Sequence, residues 1–155
     1  IVKILEDMLY SEGITVNDLN KIVCGIGPGS YTGVRMGVTV AKMMAVFKGI
    51  SLYKISTLNL MASGTPGEAL AMIDARRGNA FCARYEDGAL KDYEAIRNID
   101  EYKALYPNAK ILTETDFIVD PLKVISLAKV HLNAHSLEPN YLQETEAERN
   151  LKNGN

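Results

Sequence analysis

GPGSYTGVRMGVTVAK, residues 27–42, decides how this chain is read. It follows a short apolar run, KIVCGI at 21–26, that has the look of a buried strand. After the glycine turn the composition becomes that of a helix, capped by Ser30 or Thr32 and ending before Gly49. Gly29, Gly33, Gly37 and Ala41 recur every four residues, a spacing that places them on one helix face. Each glycine inside a helix costs about 1 kcal/mol relative to alanine. One explanation is a phosphate contact at Gly29, Ser30 and Thr32, where free N–H groups and a positive helix end face an anion. The other is close approach of a second helix along the small-residue stripe.

The phosphate reading lacks a complete motif. No lysine follows Gly33, as a P-loop requires, and Thr32 stands where a dinucleotide loop has its third glycine. The packing reading draws on the rest of the helix. Met36, Val38, Val40, Met43, Met44, Val46 and Phe47 surround it, and only Arg35, Thr39 and Lys42 make a polar strip. A helix apolar nearly all round is buried on more than one side. One side covers its own sheet; the other is either more core or the seat of a partner, for which flexible methionines are suited.

Upstream, Ile1, Ile4, Leu5, Met8 and Leu9 follow an amphipathic helical spacing that runs to about Ser11. The chain starts inside this pattern with no cap, which predicts that a further element precedes it. Downstream, residues 50–55 read as a strand and TLNLMA after Ser56 as a short helix. SGTPG at 63–67 is the best candidate boundary. Beyond it the spacing predicts strands at 69–74, 79–85, 89–96 and 110–113. Helices are expected over 100–106 and 121–131, then an extended 138–144 and a polar tail. The expected units are an N-terminal α/β lobe (1–65), a second α+β lobe (66–144) and a tail (145–155). Alternating helices and strands in the first implies parallel pairing.

Composition bounds the function. The 155 residues are 47% hydrophobic and 23% charged, with 17 basic against 19 acidic side chains and a net charge of −2. That balance argues against gripping a polyanion unaided. Cys24 and Cys82 sit in apolar runs and read as small buried hydrophobes of a reducing compartment. No apolar run is long enough to span a membrane, so a cytoplasmic protein is expected. His131 and His135 have a zinc-compatible spacing, but Leu132 stands where H-E-x-x-H needs glutamate, and favourable charge at a helix end is the simpler reading. Asp74, Arg76 and Arg77 sit at a strand turn. They read as an Asp–Arg brace, with a contact to nucleotide or tRNA as the alternative. No nucleophile–base pair is evident; Ser30 has no histidine nearby in sequence.

Three stretches, in order, resemble the TsaB (YeaZ) family: GIGPGSYTGVRMGVTVAKMMA at 25–45, IDARRGNAFCARY at 73–85 and PNYLQETEAER at 139–149. The resemblance implies an actin-like/sugar-kinase-like (ribonuclease H-like) α/β fold of two lobes, with the N-terminal lobe incomplete. The family's opening strand hairpin, with its Asp-Thr-Ser-like stretch and first phosphate loop, has no counterpart here. It implies a cytoplasmic bacterial protein acting in the formation of N6-threonylcarbamoyladenosine (t6A) in tRNA, as a non-catalytic subunit. It would bind the catalytic paralogue TsaD, with the ATPase TsaE joining them, and form a homodimer in the paralogue's absence. tRNA would be met only through the complex, with no cofactor beyond weak nucleotide binding in the assembled state. Carried over, the partner or dimer surface is Ile1, Ile4, Leu5, Met8, Gly33, Met36, Gly37, Val40, Ala41 and Met44. The alternatives are an actin-like ATPase or phosphotransferase and, less supported by motif, a metallopeptidase.

Overall fold

The computed structural model describes residues 1–142, and the expected polar tail lies outside them. Helix α1 (Val2–Ser11) leads through a short 3₁₀ turn (Val16–Asp18) into strand β1 (Lys21–Gly25). Helix α2 (Tyr31–Lys48) crosses over to strand β2 (Ser51–Ile55), which pairs parallel to β1 with Lys21 opposite Ser51 and Gly25 opposite Ile55. Parallel neighbours need such a crossover. Ser30 is the N-cap of α2, its Oγ accepting the Gly33 N–H, and Gly49 closes the helix in the left-handed conformation at φ +66°.

Helix α3 (Thr57–Ala62) then hands the chain to a second sheet. Strand β3 (Glu68–Arg76) pairs antiparallel with β4 (Asn79–Glu86), which also carries β5 (Ala89–Leu90) and β6 (Ala95–Asn98). After α4 (Ile99–Leu105), strand β7 (Lys110–Leu112) adds parallel to β3. The run Ala69–Ile73 is buried throughout because both faces of β3 are covered. Ala69, Ala71 and Ile73 face a core with Leu58, Met61 and Ala62 of α3. Leu70 and Met72 face Tyr102 of α4. This two-sheet α/β arrangement fits the expected actin-like, ribonuclease H-like fold.

Two expected elements differ. The single strand over 89–96 is split into β5 and β6. Asp92 is drawn inward instead, accepting from Arg97 Nη2 at 3.0 Å and from the Tyr102 hydroxyl at 2.7 Å. The Arg97 guanidinium lies 4.6 Å from the rings of both Tyr93 and Tyr102. The expected helix over 121–131 stops early: α5 is Pro121–Leu127, Ala128 is extended, and Lys129–Val130 form β8, antiparallel to β2. Pairing with the open edge of β2, sealed by the His131 N–H to Leu52 O bond at 2.8 Å, overrides helical periodicity there. His131 is therefore not on a helix.

Packing crosses the expected boundary at 65/66 in both directions. α3 lies before it but packs on the second sheet. β8 and Leu137 lie after it but complete the first sheet and its core of Cys24, Val38, Ala41 and Leu52. The boundary cluster itself is a tight joint. The Gly64 N–H donates to Ile118 O at 3.0 Å, and a Cβ on Gly64 would stand 2.3 Å from that oxygen.

Gly64→Ala should cost about 2 kcal/mol or more in chemical denaturation, since backbone must move to admit the methyl. Gly37→Ala, mid-helix with nothing within 4 Å of the added Cβ, should instead gain up to about 1 kcal/mol.

Candidate docking surface

α1 is amphipathic, yet none of its residues is buried. Its polar side carries Lys3, paired with Asp7 at 2.8 Å and Glu6 at 3.7 Å, contacts that add little at such exposure. Its apolar side is open: Ile4 is 64% and Met8 60% exposed. Across from it stands α2, and between the two helices runs a groove of about 340 Å³. Ile1, Ile4, Leu5 and Met8 line one wall, Gly37, Val40 and Ala41 the other, and Ile22–Gly25 of β1 the floor. β1 is an edge strand: the order of the first sheet is β1-β2-β8. Its outer side offers unpaired backbone groups among the described residues.

The expected surface residues fall into two sets. Ile1, Ile4, Leu5, Met8, Gly33, Met36, Gly37 and Val40 are exposed or half-buried. Ala41 and Met44 are buried, because the crossover turns this side of α2 onto β1 and β2; Met44 is not offered at the surface. Met43, Val46 and Phe47, not singled out as interface residues, are exposed, Phe47 at 76%. The glycine stripe is also shorter than expected. Gly29 precedes the N-cap and lies off the helix, and Gly33 and Gly37 meet no neighbouring backbone among the described residues. Among the described residues, close approach along them is available and not used.

The glycine turn at 27–29 is largely engaged from within. The Gly27 N–H donates to Thr57 Oγ1 at 3.1 Å, and its carbonyl accepts from Thr57 N at 2.9 Å. The chain returns over it at 139–141. The Asn140 N–H donates to Ile26 O, and a Cβ on Gly27, at φ +100°, would meet Asn140 O at 3.0 Å. Tyr141 stacks on Tyr31 with ring centroids 5.6 Å apart. The Ser30 oxygen caps Gly33, while Thr32 stays exposed. Sequence reading did not foresee this strap; its only signal was the PNY of the third stretch.

The remaining candidates are placed as follows. Asp74 is exposed and does not pair with an arginine side chain; it accepts the Arg76 backbone N–H at 2.7 Å, so the expected Asp–Arg brace is absent among the described residues. His131 Nε2 lies 3.2 Å from Ser136 Oγ, and neither histidine belongs to a cluster of three metal-ligating side chains among the described residues. Both cysteines are free and buried, as expected. Burial pushes the Cys24 thiol up to about 11 and raises Cys82, the latter partly offset by Arg97. No helix among the described residues is long and apolar enough to cross a membrane.

A family model described as "TsaD: tRNA N6-adenosine threonylcarbamoyltransferase" matches residues 1–130. The TsaB protein of Escherichia coli K12 is 36% identical over 110 residues, 68% of this chain and 46% of that protein. The chain belongs to the TsaB/YeaZ family. The Bacillus subtilis 168 TsaB protein is 41% identical over 87 residues, 53% of this chain and 38% of its own length. Both relatives are named tRNA threonylcarbamoyladenosine biosynthesis proteins. The chain thus matches less than half the length of these TsaB relatives. Among solved structures, YeaZ from Pseudomonas aeruginosa superposes with a TM-score of 0.68 at 20% identity, over 91% of this chain and 82% of that one. A second, titled as similar to peptidase YEAZ from the same organism, gives 0.70 over 92% and 82%. At that identity the likeness carries the fold.

Cys24 should resist alkylation in the native protein. At pH 8 the upward shift from 9.0 to about 11 lowers its thiolate fraction about 100-fold. Because the folded state holds this proton more tightly, the contribution to stability is full below pH 9 and declines as pH rises towards 11. Timed iodoacetamide labelling read by mass spectrometry, with and without urea, checks the first statement.

Proposed function

We propose that this protein is a non-catalytic subunit in the formation of N6-threonylcarbamoyladenosine in tRNA, working in the cytoplasm. It docks the catalytic paralogue TsaD through α1 and the outer side of α2, and the ATPase TsaE joins that pair. In the paralogue's absence the same surface meets a second copy. tRNA is met through the assembly. The names of the relatives support the pathway, and one observation supports the docking role: α1 and its N-cap Ile1 present Ile1, Ile4 and Met8 to solvent beside an apolar groove, and α1 contributes no buried residue to the core. Ten-residue helices gain most of their stability from tertiary packing, so an amphipathic helix with no buried residue among the described ones favours a partner on its open face. The contribution to chemistry is binding energy: the surface holds the catalytic subunit in a competent arrangement. Ala41 and Met44 support this surface from beneath.

Gly37→Leu and Ile4→Asp test it, the first by filling the space beside α2 and the second by charging α1. Ile4 is exposed and a Cβ on Gly37 meets nothing within 4 Å among the described residues, so the variants should remain folded by circular dichroism. Each should weaken paralogue binding, and self-association, by at least about tenfold in calorimetry and sizing. Folded variants that bind the paralogue at wild-type strength would sink the reading.

A further inference from the structure

The β3–β4 hairpin ends in an arginine pair held in an unfavoured backbone. Asp74 faces Ala80 and Arg76 faces Asn79, so Ala75 is an extra residue on β3. Arg77 and Gly78 then form the two-residue loop, at φ +56° and +76°, and Arg76 lies at +68°. Turns of this kind favour Asn-Gly or Asp-Gly, because the left-handed region crowds any larger side chain against its own backbone. Two successive arginines here run against that preference. Such strain concentrates where side chains serve a function.

The neighbours hold the backbone and leave the guanidinium groups alone. Asp74 accepts the Arg76 N–H, the Asn79 side chain donates to Arg77 O at 3.3 Å, and the Ile99 N–H donates to Gly78 O at 3.0 Å. Arg35, Arg84 and Arg97 each hydrogen-bond a side chain, namely Tyr31, Glu68 and Asp92. Among the described residues, the guanidinium groups of Arg76 and Arg77 make no hydrogen bond or ion pair, and both residues are exposed. No large apolar side chain lies on the tip, where Asp74 and Gly78 are also exposed. A protein interface needs a desolvated apolar centre, whereas phosphate contacts are made by exposed basic forks with no such surround.

We propose that Arg76 and Arg77 form a two-pronged contact to phosphate groups of the tRNA backbone. This rests on the t6A reading above and assigns that complex an RNA contact within this subunit. A net charge of −2 gives the chain no overall attraction for RNA, so the pair adds to affinity supplied elsewhere in the assembly.

The test compares wild type with the double variant Arg76→Asn/Arg77→Asn. Binding of an unmodified tRNA transcript to the protein assembled with its catalytic paralogue is titrated from low to physiological salt. Losing two phosphate contacts should weaken binding about tenfold or more at low salt and reduce the magnitude of the log–log salt slope by about 2. Asparagine suits the left-handed positions, so the thermal midpoint should hold or rise. Assembly with the paralogue should be intact. Unchanged affinity and slope in an intact assembly overturns the proposal. So does a midpoint lowered by several degrees, which would make the arginines structural, or loss of assembly with tRNA binding otherwise spared, which would make them a protein contact. If the wild-type protein joins no such assembly, the t6A reading fails on its own. The same salt titration on the protein alone at low salt then decides the arginine pair, a slope difference upholding it and none overturning it.

Discussion

The parallel pairing of β1 with β2 is the constraint on which the first half of the molecule depends. Two parallel neighbours cannot be joined by a tight turn, so a crossover has to lie on the sheet face. α2 is that crossover, and its placement sorts its side chains. Val38, Ala41 and Met44 go down onto the strands, and Met36, Met43 and Phe47 go out. The glycine turn at 27–29 is where the strand becomes the helix, and it also receives Thr57 and Asn140. The groove beside α1, the start of α3 and the returning chain are all positioned from this one pairing.

The second sheet solves a different problem. β3 is covered on both faces, so its residues alternate between two cores instead of between core and water. α3 bridges the two halves: its N-terminal Thr57 is tied to the glycine turn and its apolar face is sunk in the second core. A short helix shared in this way ties the two sheets together.

Much of this was legible in the sequence for identifiable reasons. KIVCGI, the glycine turn and Gly49 carry local chemistry that permits few conformations, and the strand–helix–strand unit follows from them. The burial of both cysteines followed from their apolar surroundings. What escaped depends on distant residues. Lys129 and Val130 leave the helical pattern because β2 has an open edge. Residues 91–94 leave the strand because Asp92 meets Arg97 and Tyr102. The docking surface was legible as a stripe of small residues, but which side of α2 faces outward was not. Met44 and Phe47 look equally apolar as letters, and only the crossover direction separates them.

The return of the chain to the first sheet also sets the order in which the molecule can be made. β1 and β2 are finished by residue 55, yet β8 at 129–130 and Leu137 complete their sheet and core. During synthesis the whole hairpin-rich second sheet emerges from the ribosome before those residues do. The first sheet therefore waits with β2 unpaired on one side, while the local β3–β4 hairpin can close as soon as it is exposed. Completion of the first sheet thus follows synthesis of the second sheet and depends on residues 129–137.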